Sequence, residues 1–173
     1  MTDEQSVQIE DAIAAAVAVE PSWAPYFELP VIFVQLPSDS RAISASAPHW
    51  PQHVMLAPAA FATLDELREQ VVHEFCHQWL YLLEEVCPME VADGSRDLTL
   101  PSGTTERSVR EVIGAAHVGL ALAVLYRDDD QPAQAEQLRD YAHGCLQVLE
   151  EQAADLLTEH AAEITQRMRR LRL

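Results

Sequence analysis

The chain has no lysine: all 11 of its basic residues are arginine, against 28 aspartates and glutamates, and the formal charge is −17. Four of the arginines, Arg167, Arg169, Arg170 and Arg172, fall in the last seven residues, so the rest of the chain is more acidic still. Phosphate contacts need a basic face, which so acidic a body is not expected to offer, so neither nucleic acid nor an anionic membrane is an expected partner. Cysteine is scarce as well. Cys76, Cys87 and Cys145 are odd in number and lack C-x-x-C spacing, which argues against a disulfide framework and for a reducing compartment. The apolar run AIAAAVAV (12–19) follows the acidic stretch MTDEQSVQIED, where a secretory signal would need positive charge. No segment is read as long enough to span a membrane, and a cytoplasmic protein is expected. At 173 residues the expectation is one catalytic domain, residues 1–173, with a basic tail fraying from about 165 to 173.

What is present is a change of character near the middle. Residues 5–19 predict a short helix ended by Pro21 and Pro25. Prolines at 30, 37, 48, 51 and 58 then punctuate three extended pieces, PVIFVQLP (30–37), RAISASA (41–47) and HVMLAP (53–58). From Thr63, with Glu66 three residues on, a capping box opens a helix expected to run to about Glu85. Residues 88–103 predict a loop. A second long helix is expected over 104–127, stopped by DDDQP (128–132), and a third from Pro132 to the C-terminus. The fold class is α+β: a small mixed sheet followed by three long helices.

The first long helix carries VVHEFCHQWL (71–80). Residues four apart lie one above the other on a helix, so His73 and His77 can grip one metal ion from adjacent turns. Glu74 projects at a neighbouring angle, within reach of a ligand on that ion. The bland alternative is a chance H-E-x-x-H on an amphipathic helix, its histidines satisfied in the core. Two ligands hold a metal poorly. The extended H-E-x-x-H-x-x-G-x-x-H pattern is excluded, because Leu80 stands for its glycine and Leu83 for its last histidine. Glu84 and Glu85 are two turns along the same helix, too far to coordinate. A third ligand is therefore sought in the second helix, where the candidates are His117 and Glu111. His117 shares a helical stripe with Ile113, Gly114, Leu120, Ala121 and Val124. Glu111 projects more to the side and is the ligand a Glu-type peptidase would need. Arg110 lies two turns before His117, about 10 Å along the axis. An arginine in that stripe wants a carboxylate, either Glu106 or another acid of the chain, or a small acid bound at the metal.

HEFCHQWLYLLEEV (73–86) and the later R-x-x-R-x-x-x-G-A-A-H-x-G-L-A-L-A-x-L-Y-R (107–127) together resemble the HExxH-type peptide β-hydroxylases. These are iron- and 2-oxoglutarate-dependent enzymes found with ribosomally made peptide natural products. In that family H-E-F-x-H is followed some forty residues later by an arginine-containing segment and G-x-x-H-G-x-x-A. His117 here falls 40 residues after His77. Val118 stands where the family has glycine, and the tryptophan and Asp-Pro-Arg-Pro run of the arginine segment are absent, leaving Arg107 and Arg110. The resemblance covers about residues 54–127 of a chain shorter than most members. It implies a zincin-like arrangement with H-E-x-x-H on the first long helix and Fe(II) on His73, His77 and His117. It also implies 2-oxoglutarate with its far carboxylate on Arg110 or Arg107. The implied substrate is a peptide, a ribosomally made precursor served by a separate leader-binding protein. Three histidines would be a variant of the two-histidine, one-carboxylate iron site, and Glu74 would orient rather than act as a base.

The competing expectation is a zinc metallopeptidase. There Glu74 deprotonates a zinc-bound water, and the strand at 53–57 holds the substrate as an added strand. His49 and His53, flanking Trp50, would rim the site at most; His143 and His160 lack partners at metal spacing. Cys76 is read as a small apolar residue.

Overall fold

A computed structural model of the chain describes residues 1–91, 96–128 and 131–171. Residues 92–95 of the expected loop, 129–130 of the acidic stop and 172–173 of the tail lie outside the described residues. The chain divides into two compact units, Met1–Tyr81 and Leu82–Leu173.

The first unit opens with α1 (Asp3–Val19). A reciprocal capping box starts it: the Gln5 N–H donates to Thr2 Oγ1 at 3.2 Å and the Thr2 N–H to Gln5 Oε1 at 2.9 Å. Pro21 begins a 3-10 helix, Pro21–Glu28, where the sequence pattern predicted only a stop. Three strands follow, β1 (Ile32–Gln35), β2 (Ser44–Ala47) and β3 (Trp50–Leu56), in the spatial order β1-β3-β2. β1 runs parallel to β3, Ile32 opposite His53 through Gln35 opposite Leu56, and β2 runs antiparallel, so the small sheet is mixed as expected. β3 starts three residues earlier than its predicted segment and takes in Pro51. Proline cannot donate to a central ladder. It is accommodated because the register slips between Ala45 and Ala47, and the next residue, Gln52, adopts φ +57°.

β3 is the central strand. That overturns the expectation that residues 53–57 add a substrate strand at an edge, since β1 pairs with His53–Leu56 on one side and β2 with Met55 and Leu56 on the other. A short 3-10 turn, Pro58–Phe61, leads into α2 (Leu64–Val86), whose final residues belong to the second unit. The Glu66 N–H donates to Thr63 Oγ1 at 3.1 Å, so Thr63 caps α2 as the sequence predicts. The core of this unit joins Ile9 and Ala12 of α1, Val54 and Leu56 of β3, and Leu67, Val71 and Phe75 of α2. Phe27 meets Phe75 edge-on, ring centres 4.9 Å apart.

In the second unit α3 spans Val109–Asp128, starting later than predicted. Residues before it form a narrow hairpin: Leu98 and Arg107 exchange backbone hydrogen bonds of 2.8 and 3.0 Å, and Gly103 turns the chain with φ +86°. The expected third long helix is two, α4 (Pro132–Gln152) and α5 (Glu159–Arg170). Between them Leu157 pairs with Glu90, and the N–H of Val91 donates to Leu156 O at 2.9 Å. These pairings outcompete continued helix, and Thr158 then caps α5 through Ala161 N–H at 3.2 Å. Arg169 donates to Leu146 O and pairs with Glu150, docking α5 on α4, so the segment expected to fray is helical as far as Arg170.

α3 packs closely on α4. A Cβ at Gly119 would lie 3.2 Å from both Ala142 Cβ and Leu138 O. By length and composition alone Val109–Arg127 is apolar enough to cross a membrane, which the sequence reading did not anticipate, yet 61% of that window is buried within the structure. Cys76 and Cys145 are buried free thiols and Cys87 is a half-buried one. Burial, then the charge of Glu74, pushes the Cys76 thiol up to about 12, so it serves as a small apolar residue.

Gly144 tests the packing of α4. Alanine normally gains about 1 kcal/mol over glycine inside a helix. Here its Cβ would sit 2.8 Å from Pro101 Cγ. Gly144→Ala is expected to lower stability by about 1–3 kcal/mol instead, read as a reduced urea midpoint with an unchanged slope.

Candidate metal and cofactor site

α2 presents three stripes at four-residue spacing. Leu67, Val71 and Phe75 enter the core. Gln70, Glu74 and Gln78 face the sheet. His73, His77 and Tyr81 form the stripe beside it. The middle stripe sets the other two. Gln78 is fully buried; its Nε2 donates to His53 O at 2.9 Å and its Oε1 accepts from Gln52 N–H at 2.8 Å. One side chain thus satisfies both polar groups opened by the irregular backbone of β3. Four residues back, Ser44 Oγ of β2 lies 2.6 Å from Glu74 Oε1 and 2.7 Å from Gln70 Oε1. A hydroxyl has one proton, so both oxygens cannot accept from it. The consistent arrangement turns the Gln70 amide to donate to Ser44 while Ser44 donates to Glu74.

Glu74 is 2% exposed. Its second oxygen, Oε2, is buried and has no hydrogen-bond partner among the described residues. On the adjacent stripe the His73 and His77 Nε2 atoms stand 3.2 Å apart, with ring centres 4.9 Å apart. Two imidazoles bound to one ion at about 2.1 Å, with an angle between 90° and the tetrahedral value, place their nitrogens about 3.0–3.4 Å apart. The pair fits that requirement. It equally fits one shared N–H between the rings, which a cation would replace. The His77 ring also stacks on Tyr81, centres 5.9 Å apart and 15° from parallel.

The remaining predicted residues belong to the second unit. His117 is half-buried midway along α3, in a stripe whose Ile113, Gly114 and Leu120 are buried. Glu111 is committed elsewhere. Ser108 is the N-cap of α3 and Glu111 completes the box: Oε2 accepts from the Ser108 N–H at 2.9 Å, and Oε1 accepts from Arg107 Nη1 at 2.7 Å. Burial pushes the Glu111 carboxyl up, but the Ser108 backbone and side-chain hydrogen bonds and Arg107 outweigh it and hold the group below its ordinary value. Arg110 pairs with Glu84 at 3.3 Å, not with Glu106. The nearby Glu90 carboxyl is raised by burial and by Glu84, and lowered by Arg110. Neither unit, among its described residues, gathers three or more His, Cys, Asp or Glu side chains into a metal-type group.

Of the other histidines, His49 is exposed. His53 is half-buried, stacked on the half-exposed Trp50 at 5.3 Å, with Nδ1 2.9 Å from Pro51 O. The sequence reading missed Ser44, Gln78 and Ser108. The S-x-x-E spacing from Ser108 to Glu111 is a visible capping signal. Gln70, Glu74 and Gln78 repeat every four residues on an apolar helix, which also marks a face that needs polar partners. Nothing in the sequence ties Ser44 to it. No protein-family model matches the chain, and no curated protein is significantly similar to it.

Two variants probe these assignments. Gln78→Leu keeps the volume but strands the Gln52 N–H and His53 carbonyl, and should cost about 2–4 kcal/mol in chemical denaturation. Glu111→Gln should be pH-dependent in its effect. A carboxylate held below its ordinary 4.5 stabilises the fold above the unfolded value, and that contribution fades as pH falls through the lower folded value. The deficit of Glu111→Gln is therefore expected at pH 7 and should shrink below pH 4.5, followed by thermal unfolding across pH.

Proposed function

We propose that the chain is a non-haem iron- and 2-oxoglutarate-dependent oxygenase that hydroxylates a peptide side chain, at its β-carbon. The observation that carries this reading is the pairing of converged His73 and His77 nitrogens with a Glu74 tied back to the sheet. A general base needs an open path to its water, whereas Glu74 is buried and already accepts from Ser44. β3 likewise lies between β1 and β2, so it is not the edge strand that the peptidase reading needed for the substrate.

In this proposal His73 and His77 hold the ion, and the sequence spacing assigns the third position to His117. Bound Fe(II) with 2-oxoglutarate would supply the oxygen chemistry. Arg110 is the better receiver for the far carboxylate of 2-oxoglutarate, because its ion pair with Glu84 is a long one at 3.3 Å, while Arg107 is tied into the α3 cap at 2.7 Å. A bidentate carboxylate is a stronger partner than that long contact. Glu74 orients the helix face beside the ion. A zincin-like arrangement, a cytoplasmic location and a precursor-peptide substrate with a separate leader-binding partner complete the proposal.

The test is direct. Protein purified without oxygen should bind Fe(II). It should form succinate, and add one oxygen to an intact peptide, only when iron, oxygen and 2-oxoglutarate are all present. Arg110→Leu should abolish 2-oxoglutarate binding and leave metal binding intact. Glu74→Gln should lose less activity than the roughly 10²–10⁴-fold typical of a missing general base. Peptide cleavage with Zn²⁺ alone, indifferent to 2-oxoglutarate, would establish the metallopeptidase instead.

A further inference from the structure

Glu74 is an under-satisfied buried carboxylate. One oxygen takes a short bond from Ser44, and the other, Oε2, is buried without a hydrogen-bond partner among the described residues. A buried charge with bare lone pairs is destabilising unless a donor or a cation reaches it. The helix turn that carries it also carries His73 and His77, whose nitrogens already stand at the spacing of two ligands on one ion. Ser44 lies on β2, whose one strand partner among the described residues is β3. Its hydroxyl bridges two successive turns of α2 through Gln70 and Glu74.

We propose that Ser44 is a positioning residue for the metal centre. It pins Glu74 in a conformation that is unfavourable in the metal-free protein and is relieved when a divalent cation fills the His73–His77 pair, so metal loading and the order of β2 are coupled. This inference rests on the metal reading given above. It makes Ser44 act through Glu74, and Glu74 through charge and hydrogen bonding, without requiring either to touch the ion. Partners of this kind typically alter metal affinity by about 10–100-fold when removed. The distinguishing consequence is a pair of opposite effects. Neutralising Glu74 should make the metal-free fold more stable while weakening its grip on metal; a merely structural carboxylate would weaken both or neither.

The experiment uses the full chain stripped of metal, titrated with Zn²⁺ and with Co²⁺ against a chromophoric chelator. Wild type, Ser44→Ala, Ser44→Thr, Glu74→Gln and His73→Ala are compared, with metal-free thermal midpoints measured alongside. Ser44→Ala should bind both ions about 10–100-fold more weakly, and Ser44→Thr, which keeps the hydroxyl, should recover most of that loss. Glu74→Gln should bind weakly too, while its metal-free midpoint rises by about 2–4 °C. Hydrogen exchange at the β2 amides should slow on Zn²⁺ addition in wild type and not in Ser44→Ala. Metal affinity that is unchanged in both Ser44→Ala and Glu74→Gln, with His73→Ala abolishing it, overturns the role of Ser44 and leaves the metal reading intact. Should Ser44→Ala not fold, a Glu74→Gln midpoint below wild type overturns the proposal and one above it, with weakened metal binding, supports it. If wild type binds neither ion, or binds no better than His73→Ala, the metal reading falls and this inference with it.

Discussion

Gln70, Glu74 and Gln78, one turn apart on α2, hold that helix to the sheet by hydrogen bonds, and the rest of the first unit depends on this seam. Apolar packing alone is non-directional. Leu67, Val71 and Phe75 would tolerate small slides against Val54 and Leu56. The polar seam does not. Sliding α2 by one turn, about 5.4 Å, would strand the Gln52 N–H and His53 carbonyl that Gln78 satisfies, and would detach Glu74 from Ser44. Buried polar groups are severe about their partners, so such a seam specifies one register where an oily face would admit several. The direction in which His73 and His77 look is a consequence of that register.

The legibility of the chain follows the range of the interactions involved. Prolines and caps act locally, so the strand region, the start of α2 after Thr63 and the start of α4 at Pro132 are readable from a few residues. The H-E-x-x-H face is likewise a matter of helical spacing. What could not be read depends on distant partners. The order β1-β3-β2, which places the last strand in the middle, is set by which edge each strand finds, and sequence order does not carry it. The break between α4 and α5 arises because Leu157 pairs with Glu90, 67 residues earlier, in a segment whose composition reads as helix. Residues 104–108 also read as helical, yet Arg107 there exchanges backbone hydrogen bonds with Leu98 and Glu106 adopts φ +58°. In the candidate site, His73, Glu74 and His77 were legible as a set, whereas Ser44 is an ordinary serine until β2 places it 2.6 Å from Glu74.

The absence of lysine has a structural counterpart in the second unit. Arginine offers a planar fork of donors, where lysine offers a single point charge. Arg169 uses its fork on Leu146 O and Glu150, and Arg96 uses its own on Gln152 O and Asp155. Arg107 completes the cap of α3 through Glu111, and Arg110 meets Glu84. In a chain with 28 acids and 11 bases, these cations are spent on fastening chain segments, with carbonyl oxygens among the acceptors. Exposed pairs of this sort add little stability apiece. Their value is geometric, since each fork joins α3, α4, α5 or the hairpin at a defined point.

The same carboxylate would serve the two candidate chemistries in opposite ways, and burial separates them. A base that must take a proton from water works best with a value near the working pH and a clear route for that proton. A carboxylate that only orients its surroundings gains from being walled in, because low dielectric strengthens its hydrogen bonds and removes competing water. Glu74 has one oxygen fixed by Ser44, the seam of Gln70 and Gln78 one turn away on either side, and 2% exposure. Such surroundings suit an orienting charge. They also explain why the strain is tolerated: an unsatisfied buried oxygen persists only where the structure around it is over-determined, and in this chain that over-determination is the hydrogen-bonded seam between α2 and the sheet.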